Sequence, residues 1–497
     1  MKDFNVDVSI YKQETASYTV FPYDPEEIYP EFSQFSVYEI HSGKKNENYY
    51  AVRKIFKDLG FDKENWGTSS WNPLKEKVKK GQNVVIKPNL VYHEHPYGDE
   101  SVLSMITNAA VLRPIIDYIL LATEGIVNIC IGDAPVQGGD FDKACEISGI
   151  KKLVDFYKKH GIDIKVIDFR LLISKRNEQG ILSVKYQNPK RQRSLYRAVD
   201  LKEKSELSDI ASKSKRFEIT DYGFGSVRKH HNEKKNEYII PKEILEADLF
   251  INVPKLKTHR KAGVTCAMKN LVGINGDKTC IAHHTRGSIQ KGGDEFNKTN
   301  MKAILRVRVW SFLKTTTIGI KLAGEIKRFF EKYVWHGQSL KKHNMANKPS
   351  VFFEGSWSGN DTIWRCVKDL NKIILYADKK GNMRKSIQRE YLCIVDAVLA
   401  GEKEGPMEQT TKEFGVVFGG MNPVYVDYAA TKLMKYDYKK IPLIRQGFYN
   451  RWWPLVDKEE KDVSIISNRS MREISQYFVP TFGWQDVLKG IFENSFS

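Results

Sequence analysis

Apolar positions recur along this chain in two alternating rhythms. Asn83-Val-Val-Ile-Lys-Pro-Asn-Leu is a short apolar run closed by Lys87, Pro88 and Asn89. That pattern predicts a buried strand ending in a loop. Val111, Leu112, Ile115, Ile116, Ile119 and Leu120 then repeat at helical spacing, with Asn108 placed to cap them. A strand over 127–133, helical segments over 142–147 and 151–159, and a strand over 162–168 follow. Strand and helix alternating in this order predict right-handed crossovers and a parallel sheet. Further on, the spacing predicts a short helix over 241–247, strands over 248–253, 391–396 and 414–420, and a helix over 424–434. Residues 371–378 fit either a continued helix or a strand. The fold class expected is α/β: a mostly parallel sheet with helices on both faces, plus basic helical and loop insertions.

Three regions follow from this pattern. Residues 1–80 form an N-terminal segment packing on the core, 81–445 the core domain, and 446–497 a C-terminal extension. Insertions rich in charge interrupt the core at about 171–236 and 296–350.

Composition narrows the partners. The 497 residues carry 79 basic and 61 acidic side chains, a formal charge of +18. Such a surplus favours anionic neighbours. Nucleic acid ranks last among them, because the cations are spread and no recognised binding motif is present. The six cysteines, Cys130, Cys145, Cys266, Cys280, Cys366 and Cys393, stand singly without a C-x-x-C pair. They read as buried hydrophobes, and neither a disulfide framework nor an iron–sulfur cluster is expected. The opening residues are polar, and cations break the apolar run from Ala303 to Phe330. The expected location is the cytoplasm, with the inner membrane surface as a second address.

Ligands of an open parallel sheet sit beyond the C-terminal strand ends. Lys87, Asn89, Asp133, the run Lys255 to His259, and Asp396 all fall at such ends. Lys255, Lys257, His259, Lys269 and Lys278 gather five cationic or titratable groups in 24 residues. A bound anion or nearby carboxylates relieve the repulsion in such a set. Gly263, Gly273 and Gly276 permit tight turns beside it. No Walker or G-x-G-x-x-G pattern occurs, so the expectation is an anion site of another kind. Lys87, Lys255, Lys257, Lys269, Lys278 and Arg286 would hold the anion, and Asn89 and Asn270 would orient it. His259 or His283 would move a proton, with Asp133 and Asp396 orienting the base. A divalent metal is a further expectation, with His284, Asp294, Glu295 and Asp427 as its candidate ligands. The adjacent pairs His230-His231 and His283-His284 point apart, so neither pair is expected to give two ligands to one ion. Asn360-Asp-Thr-Ile-Trp-Arg365 suits a helix start and ranks second as a site.

The run of Ile86-Lys-Pro-Asn-Leu, Thr107-Asn, Gly132-Asp-Ala-Pro, Lys255-Leu-Lys-Thr-His259, Gly263-Val-Thr through Lys269-Asn-Leu, Ile394-Val-Asp396 with Glu404-Gly-Pro, and Asn422-Pro-Val-Tyr-Val-Asp427 resembles the family known as domain of unknown function 362. The likeness covers roughly residues 80–445. The longer form of that family is similar also in His230-His231, Lys278 through His283-His284, Gly292-Gly-Asp-Glu295 and Asn360 to Arg365. Many relatives carry a fused ferredoxin module, for which this chain lacks the cysteines. The layout also resembles, at the level of fold, the N-terminal half of nickel-pincer lactate racemase. The resemblance implies surface-polysaccharide gene neighbourhoods.

Two functions are carried forward. One is a cytoplasmic enzyme acting on a phosphate- or carboxylate-bearing metabolite. The other is a non-catalytic factor docked on anionic membrane through residues 301–333, with Tyr449 to Trp453 as an aromatic anchor.

Overall fold

The computed structural model describes residues 6–33, 43–176, 182–219, 226–301, 304–305, 308–309, 319, 322, 325–326 and 352–488. Most of the 296–350 insertion, including most of the 301–333 segment, lies outside the described residues.

A central ten-stranded sheet organises the described chain. Its strands are β1 (Val8–Lys12), β2 (Asn83–Pro88), β3 (Asn128–Asp133), β4 (Ile164–Asp168), β5 (Leu249–Val253), β6 (Lys255–His259), β7 (Gly263–Thr265), β8 (Glu390–Glu404), β9 (Glu408–Gly420) and β10 (Ile465–Ser467). The order across it is β10-β1-β9-β8-β5-β2-β3-β4, with β6 also on β8 and β7 on β6. Six of its nine pairings are parallel; β1–β9, β6–β7 and β8–β9 are antiparallel.

Continuous apolar runs suit the central strands because both faces are covered. Val84 and Ile86 of β2 and Leu249, Ile251 and Val253 of β5 enter one core. Val85 and Phe250, on the alternate positions, enter the other. Helices α1 (Glu47–Asp58), α2 (Ala109–Thr123), α3 (Phe141–Ile147) and α4 (Ile150–Lys159) cover the first face. Helices α6 (Ile363–Tyr376) and α7 (Pro423–Leu433) cover the second, together with the short α5 (Ala267–Asn270). The α/β class and the helices on both faces are as the spacing predicted.

Four details differ from, or settle, the sequence reading. Residues 371–376 complete a helix. Strands β8 and β9 run well past their apolar stretches, pairing mostly polar residues from Leu399↔Glu413 to Glu404↔Glu408. Lys255–His259 is itself a strand: after Pro254 the chain keeps alongside β8, with Lys255 opposite Asp396 and Lys257 opposite Gly401. The two end segments are woven into the sheet, β1 antiparallel to β9 and β10 parallel to β1.

Candidate functional site

The chain leaves β2 toward β3 and β4, then returns on the other side of β2 as β5 and continues to β8. A reversal of this kind opens a crevice outside the C-terminal ends of the two flanking strands. Lys87 and Asn89 stand at the end of β2, and Asn252 through Lys255 at the end of β5.

Two ion pairs form the floor. Lys87 Nζ lies 2.7 Å from Asp133 Oδ1, at the adjoining ends of β2 and β3. Asp133 also accepts from the backbone N–H groups of Leu90 and Ala134 at 2.7 and 2.8 Å. Lys255 Nζ lies 2.7 Å from Asp396 Oδ2. Asp396 further accepts from Tyr18 Oη at 2.8 Å and from the Asn108 N–H at 2.9 Å, at the mouth of α2. The sequence reading had Asp133 and Asp396 orient the histidine base. Both are buried and surrounded by donors they already serve, so each neutralises a lysine and fixes the loops around it.

Above this floor sit lysines of another kind. Lys257 Nζ is wholly buried and, among the described residues, donates to neutral oxygens alone, Asn89 Oδ1 at 3.0 Å and Met105 O at 2.5 Å. Lys278 Nζ donates to Val272 O at 2.9 Å. Half-buried Lys269 has neither a hydrogen bond nor an ion pair among the described residues. Burial is the main cause holding all three below the usual lysine range. Lys269 is held down to about 8, with help from Lys261 and Lys87. Lys278 is held down to about 7, against the pull of Asp133. Lys257 lies well below its ordinary value, with Lys255 and Lys269 adding to the burial.

Asparagines lock the cations in place. Asn270 Oδ1 accepts from Asn89 Nδ2 at 2.7 Å and from Lys87 Nζ at 3.1 Å, while its Nδ2 donates to Asn252 Oδ1 at 2.8 Å. Asn252 in turn donates to Ala267 O at 2.8 Å. Asp427 of α7 accepts from the Ala267 and Met268 N–H groups at 2.6 and 3.2 Å. It therefore caps the short helix that presents Lys269 and Asn270, and among the described residues it forms no cluster with the other metal candidates.

His259 Nδ1 accepts from the backbone N–H of Lys261 at 3.0 Å and of Ala262 at 3.2 Å. These donors assign the ring proton to Nε2. Burial, then Lys269, Arg260 and Lys257, keep the ring neutral, its pKa well below the ordinary value. His259 thus offers a fixed N–H donor, where the sequence reading expected a proton carrier. His283 is held neutral in the same way by burial, Lys261 and Lys269.

The remaining candidates lie in one loop. Asp294 accepts from the Thr285 N–H, the Asp361 N–H at 2.8 Å and Thr362 Oγ1 at 2.6 Å, and staples that loop to the start of α6. Glu295 accepts from the Gly287 N–H at 2.8 Å and pairs with Arg308 at 2.6 Å; His284 Nε2 stands 3.9 Å from its other oxygen. Both oxygens of Asp294 and one of Glu295 are engaged by donors, and these carboxylates and His284 do not assemble into a metal cluster among the described residues. Arg286 lies on an open hollow of about 460 Å³ with Arg216, Lys291 and Arg308, apart from the lysine crevice. Asn360 caps the start of α6, accepting from the Thr362 and Ile363 N–H groups at 3.0 and 3.1 Å.

Three contributors had no role assigned in the sequence reading. Tyr18 reaches Asp396 across 378 positions, and no local pattern could announce it. Thr107 Oγ1 accepts from the Asn89 N–H at 2.9 Å and donates to Val253 O at 2.7 Å, tying the two strand ends together. Asn252 looked like one polar position in an apolar strand, and that anomaly was its signal.

An α/β protein with a switch-point crevice lined by lysines, amides and neutral imidazoles is the class defined by these features. The chain belongs to the family described as domain of unknown function (DUF362), whose model matches residues 84–182 and 196–432. No curated protein matches it. Among solved structures, a structural-genomics protein from Thermotoga maritima is similar at 10% identity and a TM-score of 0.31. The match covers 77% of this chain and 58% of that one, so this chain spans little more than half of its length. A superposition at that score carries no argument, and the likeness to lactate racemase gains nothing from it.

Proposed function

We propose that the crevice binds the phosphate or carboxylate of a small anionic metabolite, and that the protein is an enzyme acting on that molecule. One observation carries the reading. Lys257, Lys269 and Lys278 have no carboxylate in ion-pair contact among the described residues, although Lys87 and Lys255 beside them do. Burying an unpaired ammonium costs several kcal/mol, and a bound anion offsets that cost. Lys269, having no side-chain partner among the described residues, makes the first contact; the His259 Nε2–H donates a second. Asn89 and Asn270 hold Lys257 and Lys87 in register. Surface-polysaccharide synthesis in the cytoplasm is the setting this reading favours, by way of the family resemblance.

Titration calorimetry of the full chain against sugar nucleotides, phosphosugars and acidic sugars tests it. At least one class should bind, and Lys269→Met should weaken that binding about 10-fold or more, the loss of one charge-assisted contact. Absence of binding by every class, or equal affinity in the variant, contradicts the reading. The second reading, docking on anionic membrane, draws on the exposed Tyr449 and Trp452. Salt-sensitive sedimentation with anionic vesicles, lost in a Tyr449→Ser, Trp452→Ser double variant, would favour it instead.

A further inference from the structure

We propose that His230, Asp277 and Cys280 form a binding site for one divalent metal ion of the zinc class. Their donor atoms all lie within 4.8 Å of one another. The set lies outside the strand-end crevice, and none of these residues takes part in the function argued above.

The geometry of each donor points the same way. His230 Nδ1 is 2.9 Å from Glu237 Oε1, an arrangement that places the ring proton on Nδ1 and leaves the Nε2 lone pair facing inward. Nε2 faces Asp277 Oδ2 at 4.0 Å, too far for a hydrogen bond. Asp277 spends its other oxygen on Thr279, accepting from N at 3.0 Å and Oγ1 at 2.7 Å. Oδ2 receives no hydrogen bond among the described residues. Two lone-pair atoms therefore confront each other across a gap, beside the buried sulfur of Cys280. A cation between them turns that repulsion into attraction.

The donors also match one kind of ion. Nitrogen, carboxylate oxygen and thiolate sulfur together suit zinc, whereas magnesium and calcium take all-oxygen sets. Bonds of ~2.0–2.3 Å in a tetrahedron put neighbouring donors roughly 3.3–3.7 Å apart, so separations of 4.0 Å and up to 4.8 Å contract on binding, by ~0.3–1.5 Å. Glu237 behind His230 is the orienting carboxylate usual for zinc-bound imidazole. The frame is rigid: His231 Nε2 donates to Cys280 O at 2.6 Å, and Asp277 caps the turn Lys278–Cys280. His230 and His231 do point apart, one toward the donors and the other toward the backbone that holds them.

A consequence for the crevice follows, and it rests on the anion-binding reading. Lys278 sits between Asp277 and Cys280, and its ammonium reaches Val272 O. An ion gripping both ends of that turn fixes where Lys278 projects. Its role is structural and needs no chemistry at the metal.

The full-length protein is loaded with Zn²⁺ or Co²⁺, dialysed, and assayed by elemental analysis and absorption. The expected result is one ion per chain, with a thiolate-to-cobalt charge-transfer band and the intense visible bands of tetrahedral cobalt. Cys280→Ser should abolish the charge-transfer band. His230→Gln, at a position partly open to solvent, should weaken zinc at least ~10-fold while circular dichroism shows the chain folded. Lys269→Met should leave metal content unchanged, which separates this site from the anion reading. Less than a stoichiometric ion in the folded wild-type protein, or an undiminished cobalt spectrum in both ligand variants, overturns the proposal.

Discussion

Lys269 carries the account at the scale of single residues. Its ammonium titrates near 8, because burial and the neighbouring Lys261 and Lys87 disfavour its charge. Lys257, Lys278, His259 and His283 also feel its field. The sign is direct: the charged form binds anions, and a bound anion raises the pKa of the amine that holds it. Affinity for sulfate, which does not itself titrate in this range, should begin to fall near pH 7, where Lys278 gives up its charge, and fall further as pH rises through about 8, where Lys269 does. The slope is up to ~10-fold per pH unit for each proton taken up. Calorimetry from pH 6 to 9.5 checks this, and Lys269→Met should flatten the alkaline limb. A profile flat to pH 9.5 in the wild type contradicts the assignment.

Gly273 shows how tightly the floor is built. A Cβ there would lie 1.9 Å from Asp133 Oδ1 and 2.5 Å from Lys87 Nζ. Neither group can yield, since Asp133 also holds two backbone N–H groups and Gly273 O accepts from the Ala134 N–H. Gly273→Ala should therefore lose about 1–3 kcal/mol by overpacking, read from urea denaturation, and should lose anion binding with it. An unchanged midpoint would mean the floor is looser than described.

Among the elements, α7 links packing to the site. Asn422 Oδ1 accepts from the Val424 and Tyr425 N–H groups at 2.9 and 3.3 Å, and Nδ2 donates to Leu455 O at 2.7 Å. Helix α7 then places Asp427 on the N-terminus of α5, which presents Lys269. Asn422→Ala should cost about 1 kcal/mol, and Asn422→Asp, which keeps a capping oxygen, should recover most of it. Equal denaturation midpoints for the wild type and the alanine variant would refute this role. The cap at Asn108 was legible because a cap residue precedes apolar periodicity at a fixed offset; Asn422 was quoted only within the family motif, and the structure supplies its capping role. The outer halves of β8 and β9 were not, because a two-stranded arm needs no continuous apolar face. Strand β6 was hidden for a related reason. Its lysines look like loop residues, yet Lys255 and Lys257 are buried, one paired with Asp396 and the other bonded to Asn89 and Met105.

For the whole molecule, topology decides what sequence distance conceals. The switch point joins Lys87, Asn89, Lys257, Asn270 and Asp133 in one bonded group. Their position at strand ends was readable residue by residue, and the order of strands supplies their convergence. The roles of the carboxylates were not readable. Asp133, Asp396, Asp427 and Asp294 all look like catalytic or metal-binding groups in sequence, and only their donors show them to be anchors. The opposite happened at His230, Asp277 and Cys280, where 50 positions separate groups that the fold sets side by side.

The central claim, that surplus lysine charge in the switch-point crevice holds an anion, is tested most directly by anomalous diffraction from crystals of the full chain soaked in selenate. The account predicts a selenium peak in contact with Lys269 and within reach of the His259 Nε2–H, absent from Lys269→Met crystals. Selenium bound elsewhere on the molecule with that crevice empty would contradict it.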